Sequence, residues 1–207
     1  MADPQRYPIP SDLVRTEEVV DRSRFVCTIA LASSAVDAQA VVHAVQAEFT
    51  GATHHCWAYV AGPPGNTSRI GLSDDGEPHG TAGRPMLTVL LHSGVGDVVA
   101  VVTRYYGGTK LGTGGLARAY SGAVQSALAV LTTREKVEYA ALTVTVSYAH
   151  FAAVRHLLPA FEAEIIRDSF ANCVTVELRA PLEHQAALRA AISDATHGQA
   201  EFAADAA

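Results

Sequence analysis

The densest set of ligand-binding residue types is the run Arg104-Tyr-Tyr-Gly-Gly-Thr-Lys-Leu-Gly-Thr-Gly-Gly-Leu-Ala-Arg-Ala-Tyr120. Gly107, Gly108, Gly112, Gly114 and Gly115 let the backbone take positive φ and approach a ligand closely. The pattern starts a helix at about Thr113, whose first N–H groups and positive dipole end favour an anion. Arg104, Lys110 and Arg118 add cationic donors, and the span holds no acid, so it is locally +3. Arg118 in the first turns of a helix is unfavourable unless something negative neutralises it. This set suits a phosphate, either of a nucleotide or of an RNA backbone. The alternative is a tight packing loop whose charges pair with Asp74, Asp75 or Glu77. Familiar phosphate motifs fail: no Lys-Ser or Lys-Thr follows the last glycine of a Walker pattern, and Tyr105 to Leu111 separate Gly112-x-Gly114 from the preceding strand.

A second constellation is Asp74-Asp-Gly-Glu-Pro-His-Gly-Thr-Ala-Gly-Arg-Pro85. Gly76, Pro78, Gly80 and Gly83 pin two turns, and Thr81 is placed to cap a helix that Pro85 opens. Asp74, Asp75 and Glu77 could hold Mg²⁺ with substrate oxygens. They could equally be counter-ions of Arg104, Lys110 and Arg118, the preferred reading because ion pairs are commoner than metal sites. Arg84 joins the anion-binding set. In the third run, Thr53-His-His-Cys-Trp-Ala-Tyr59, strand alternation puts His54 and Cys56 on one face and His55, Trp57 and Tyr59 on the other. His54 and His55 therefore do not clasp one metal together. Cys56 reads as a buried thiol beside a hydrogen-bonded histidine, and Trp57 and Tyr59 as core or as a surface for stacking bases. His54 joins Asp74, Asp75 and Glu77 as a supporting residue; neither a metal centre nor a cofactor is called for.

These motifs need a scaffold of ordinary globular composition. The chain has 207 residues, 49% apolar and 17% charged, with a net charge of −6, which argues against coating nucleic acid or anionic membrane by bulk attraction. Only Lys110 and Lys136 are lysines among 15 cationic residues. Cys27, Cys56 and Cys173 form no paired motif, no apolar run suits a membrane span, and no apolar signal core is visible, so a cytoplasmic protein is expected.

Fifteen of the 16 glycines lie between Gly51 and Gly122, and the character changes near residue 133. Two domains, 1–133 and 134–207, are expected, with Thr132 to Glu138 as a polar linker. In the first, strands are expected at 13–20, 24–32, 53–61, 68–72 and 98–104, with helices at 35–49, about 81–92 and about 113–131. This is an α+β domain of antiparallel character. In the second, strands at 137–148, 164–167, 174–179 and 201–203 alternate with helices at 149–161 and 182–195. That βαββαβ order is the ferredoxin-like split βαβ sandwich.

Together the motifs Ser23-Arg-Phe25, Ala52-Thr-His54-x-Cys56, Asp74 to Gly83 and Arg104 to Tyr120 resemble the YigZ/IMPACT family. His79 departs from the small residue at that place in the family motif. The resemblance implies an N-terminal domain with the fold of the second domain of a small-subunit ribosomal protein. It also implies a ferredoxin-like C-terminal domain similar to the last domain of elongation factor G, and no RWD domain before Arg24. It implies no settled reaction. Of three functional readings, the first is a translation-associated module gripping phosphates of RNA or of the ribosome, and the second an enzyme holding a small phosphorylated ligand with Asp74, Asp75 or Glu77. A protein-interaction adaptor with a purely structural loop is the third.

Overall fold

The structure, a computed structural model, describes residues 6–203. The chain divides into two compact units, 1–136 and 137–207. In the first, a five-stranded antiparallel sheet has the order β2-β3-β6-β4-β5, formed by β2 (Val14–Val20), β3 (Ser23–Leu31), β4 (His54–Val60), β5 (Ile70–Ser73) and β6 (Val98–Tyr105). β6 is central and reads Val-Val-Ala-Val-Val rather than alternating, because helices cover both faces of the sheet.

On one face lies α1 (Ala35–Glu48), started by Ser34, whose Oγ accepts from Asp37 N–H at 3.1 Å. Its Ala38, Val42 and Val45 recur at helical spacing and meet Val99 and Val101 of β6. The partly buried Trp57 and Tyr59 pack against the same cluster, their rings stacked at 6.0 Å, which makes core packing their role in this structure. The opposite face carries α2 (Gly83–Leu91) and α3 (Gly112–Ala129). The buried α3 positions Leu116, Ala119, Tyr120, Ala123, Val124 and Ala127 form one stripe against Phe25, Cys27 and Cys56.

The expected linker at Thr132 to Glu138 is instead largely a strand. β7 (Thr133–Val137) pairs with β1 (Arg6–Pro10) in a two-stranded sheet. Asp97, buried with φ 46°, accepts from Tyr7 Oη at 3.1 Å and Lys136 Nζ at 2.6 Å, and its other oxygen accepts from Gly62 N–H. Pro8 and Pro10 hide β1 from a propensity reading, and the polarity of β7 suits a strand open to solvent.

The second unit has the sheet order β11-β8-β10-β9, from β8 (Tyr139–Val146), β9 (Glu164–Phe170), β10 (Val174–Pro181) and β11 (Glu201–Phe202). All neighbours are antiparallel, which is the ferredoxin-like arrangement. α4 (Tyr148–Leu157) and α5 (Gln185–Ala195) bury Val154, Leu188 and Ile192 against Val144, Val174 and Val176. Both are shorter than expected, since Leu158–Phe161 and Leu182–His184 are 3₁₀ turns beside Pro159 and Pro181. Among the described residues no helix is long and apolar enough to cross a membrane.

Candidate functional site

Sheet register builds the floor of the site. At the end of β6, Arg104 lies between Phe25 of β3 and His54 of β4, so these three residues form a row across the sheet. Arg104 Nη1 meets Glu77 Oε1 at 2.5 Å, and Nη2 meets Ser23 Oγ at 3.2 Å. Nε is enclosed and has no hydrogen-bond partner among the described residues, while the guanidinium lies over the rings of Phe25 and Tyr106. Glu77 Oε1 also accepts from Tyr120 Oη at 2.8 Å. Phe25 holds the Tyr120 ring edge-on at 5.3 Å. Burial first, then the neighbouring Cys56 and Glu77, pushes the Tyr120 phenol up, so it stays a donor.

Around this floor the acidic loop is folded back on itself. Asp74 accepts from the N–H groups of Gly80, Ala82 and Gly83, at 2.7, 3.0 and 2.8 Å. It thus satisfies the start of α2 from nine residues away. Thr81 does not cap that helix, contrary to expectation: its hydroxyl donates to Pro78 O at 2.6 Å. Asp75 accepts from His55 N–H at 2.6 Å. His54 Nδ1 lies 2.7 Å from Asp75 O, a carbonyl that only accepts, so Nδ1 carries the proton and Nε2 faces Glu77 Oε1 at 4.0 Å. Cys56 Sγ is buried 3.0 Å from Asp74 O and 3.3 Å from Tyr120 Oη. Burial chiefly pushes its thiol up to about 12, which leaves it protonated and a poor nucleophile.

The three carboxylates therefore diverge. Asp74 and Asp75 are spent on backbone N–H groups and Glu77 on Arg104 and Tyr120, so a shared Mg²⁺ has no common focus. Among the described residues no group of three or more His, Cys, Asp or Glu side chains is placed to hold a metal ion. Of the expected counter-ion pairs with Arg104, Lys110 and Arg118, the structure forms one, Glu77 with Arg104.

Above this floor is a cavity of about 350 Å³ lined by Glu77, Pro78, Arg104, Tyr106, Lys110 and the start of α3 from Leu111 to Thr113, with Leu116 behind. Leu111, at the N-cap of α3, makes no side-chain hydrogen bond there, and the first turn holds no acid, so its positive end is not neutralised. Gly107 is forced by close approach, since a Cβ would sit 1.9 Å from Arg22 O. Gly112, at φ 70°, turns the chain into the helix. Gly108, Gly114 and Gly115 flank this path.

The expected cationic cluster is divided. Lys110 is exposed at the cavity and Arg104 is buried below it, but Arg118 lines a separate cleft of about 250 Å³ with Glu18, Asp21 and Gly115. Arg84 is exposed on the first turn of α2, outside the cavity lining. Sequence reading did not single out Tyr120, Ser23 or Tyr106 as site residues. The signal for Tyr120 was its place on the buried stripe of α3, where a phenol needs a partner.

The Impact N-terminal domain matches residues 21–128, and a domain of unknown function (DUF1949) matches residues 144–199. The IMPACT family member YigZ of Escherichia coli is 40% identical over 200 residues, covering 97% of this chain and 98% of that protein. An IMPACT family member of Haemophilus influenzae is 42% identical over 164 residues, covering 79% of this chain and 80% of its own. A crystal structure described as that of a hypothetical protein is 39% identical, covers 98% of each chain and aligns with a TM-score of 0.70. The chain belongs to the IMPACT family.

Proposed function

We propose that the first unit is a phosphate-binding module that grips RNA at the cavity beside α3, in a translation-associated or regulatory role in the cytoplasm. The observation that carries this reading is the convergence of Lys110, the uncapped start of α3 and the exposed Tyr106 ring on one cavity. Backbone N–H groups and Lys110 suit a phosphate, and an aromatic ring 48% exposed suits a stacked base. Within an acidic protein such a grip touches few phosphates, so binding to structured RNA or ribosomes should fall only shallowly with salt. Lys110→Ala is expected to weaken RNA binding and lower the salt slope by about one. Arg118→Ala, in the neighbouring cleft, is expected to weaken it less. If Lys110→Ala combined with Arg118→Ala leaves affinity and slope unchanged, the reading is wrong.

A second reading is an enzyme acting on a nucleotide or phosphorylated metabolite. The observation favouring it is the cavity volume of about 350 Å³, which falls near the lower end of the roughly 300–1,000 Å³ range of small-molecule sites. Of the three acids Glu77, although bonded to Arg104 and Tyr120, is the one that lines the cavity, whereas Asp74 and Asp75 are engaged elsewhere. Equilibrium dialysis against a nucleotide panel with and without Mg²⁺ tests it, and no binding at millimolar ligand removes it.

A further inference from the structure

The cavity has two chemically opposite poles, and a phosphate grip uses one of them. At the rim, Lys110 and the start of α3 are cationic in character. At the floor stands the Glu77 carboxylate, its side chain 3% exposed yet lining the cavity. Oε1 is taken by Arg104 Nη1 and Tyr120 Oη. No described residue donates a hydrogen bond to Oε2. Arg104 offsets the charge of Glu77, so the floor does not strongly repel an anion at the rim. Oε2 is left as an acceptor on a residue lining the cavity, one that an ionised phosphate oxygen cannot satisfy and a hydroxyl can. Pro78, Tyr106 and Leu116 supply apolar walls for a carbon skeleton.

We infer that the cavity selects a ribose phosphate: a sugar hydroxyl donates to Glu77 Oε2 while the phosphate is held by Lys110 and the first N–H groups of α3. This rests on the phosphate reading above and adds what the deep half of the site recognises. A ribose phosphate reaches the cavity either within an RNA strand or as a free ribonucleotide.

Two arms on the full, unaltered chain distinguish these sources. One measures binding of adenosine monophosphate against its 2′-deoxy and 3′-deoxy forms, the other a single-stranded RNA oligonucleotide against DNA of the same sequence. Removing the recognised hydroxyl is expected to weaken binding at least about ten-fold, the scale of one hydrogen bond to a charged acceptor. The arm that binds identifies the source. In Glu77→Gln, whose amide supplies an added donor at the floor, this discrimination is expected to shrink; if that variant does not fold, the deoxy comparison on the unaltered chain still decides. Equal binding of hydroxylated and deoxy ligands overturns the inference and leaves the phosphate grip standing. Binding in neither arm overturns both.

Discussion

Arg104 Nη1 lies 2.5 Å from Glu77 Oε1, with side chains 6% and 3% exposed, so the glycine-rich and acidic motifs meet in one buried ion pair. Tyr120 and Ser23 complete the hydrogen bonding around it. The pair places Arg104 in the floor of the cavity rather than at its mouth, and leaves Lys110 as the cation at the rim.

Removing one partner of such a pair strands a buried charge. Glu77→Ala is expected to destabilise the protein by about 3–5 kcal/mol. Tyr120→Phe, which removes one donor to the same carboxylate, should cost about 1.5–3 kcal/mol. Urea unfolding of both variants checks the order; a Glu77→Ala loss smaller than that of Tyr120→Phe would contradict a structural ion pair.

Asp74 gives a pH dependence. Burial pushes its carboxyl up, but the N–H groups of Gly80, Gly83 and Ala82, with His79, outweigh that and hold it below the usual carboxylate range. A depressed native value means the ionised form stabilises the fold above the unfolded value of about 3.9, and this stability is lost as pH falls through the native value. Asp74→Ala should therefore cost about 1–2 kcal/mol at neutral pH, the scale of a lost helix cap. The gap to the unaltered protein should narrow in acid. A gap independent of pH would assign the loss to packing.

How much of this was legible in the sequence depends on the kind of information. β3 and β6 were readable as near-continuous apolar runs buried on both faces, and α1 and α3 from apolar positions at helical spacing. Arg104, Glu77 and His54 were each flagged by residue type and motif. Their pairing was not readable, because it depends on the register that sets His54 beside Arg104 and on a loop that folds back through Asp74. Arg118 illustrates the converse: it lies close in sequence to Lys110, but the start of α3 turns it toward another cleft. β1 was missed because two prolines in five residues outweighed the alternation of Tyr7 and Ile9.

The cysteines should react unequally. Cys173 is exposed, whereas Cys27 and Cys56 are buried and burial raises both thiols. A thiol-reactive disulfide reagent is expected to label one cysteine promptly in the folded protein and three after denaturation. Prompt reaction of a second thiol would show that the region around Cys27 or Cys56 opens readily.

Gly107→Ala tests the close approach of the glycine-rich loop to the turn before β3. Its Cβ would meet the backbone carbonyl of Arg22, so something must move. A loss of about 1–3 kcal/mol is expected, the scale of overpacking. Gly114→Ala, whose Cβ would meet nothing closer than 3.8 Å, should be neutral or slightly stabilising because it gains helix propensity. Thermal unfolding separates the two.

The pairing of β1 with β7 imposes an order of events during synthesis. Arg6–Pro10 are made early, yet their partner strand Thr133–Val137 is made more than a hundred residues later. Until Lys136 emerges, Tyr7 and Asp97 lack the ammonium group that completes their cluster. The first strand of the described chain thus gains its strand partner only after all five strands of the larger sheet have been made, and until then the Gly96 N–H bond to Pro8 and the Tyr7 bond to Asp97 are what can hold it.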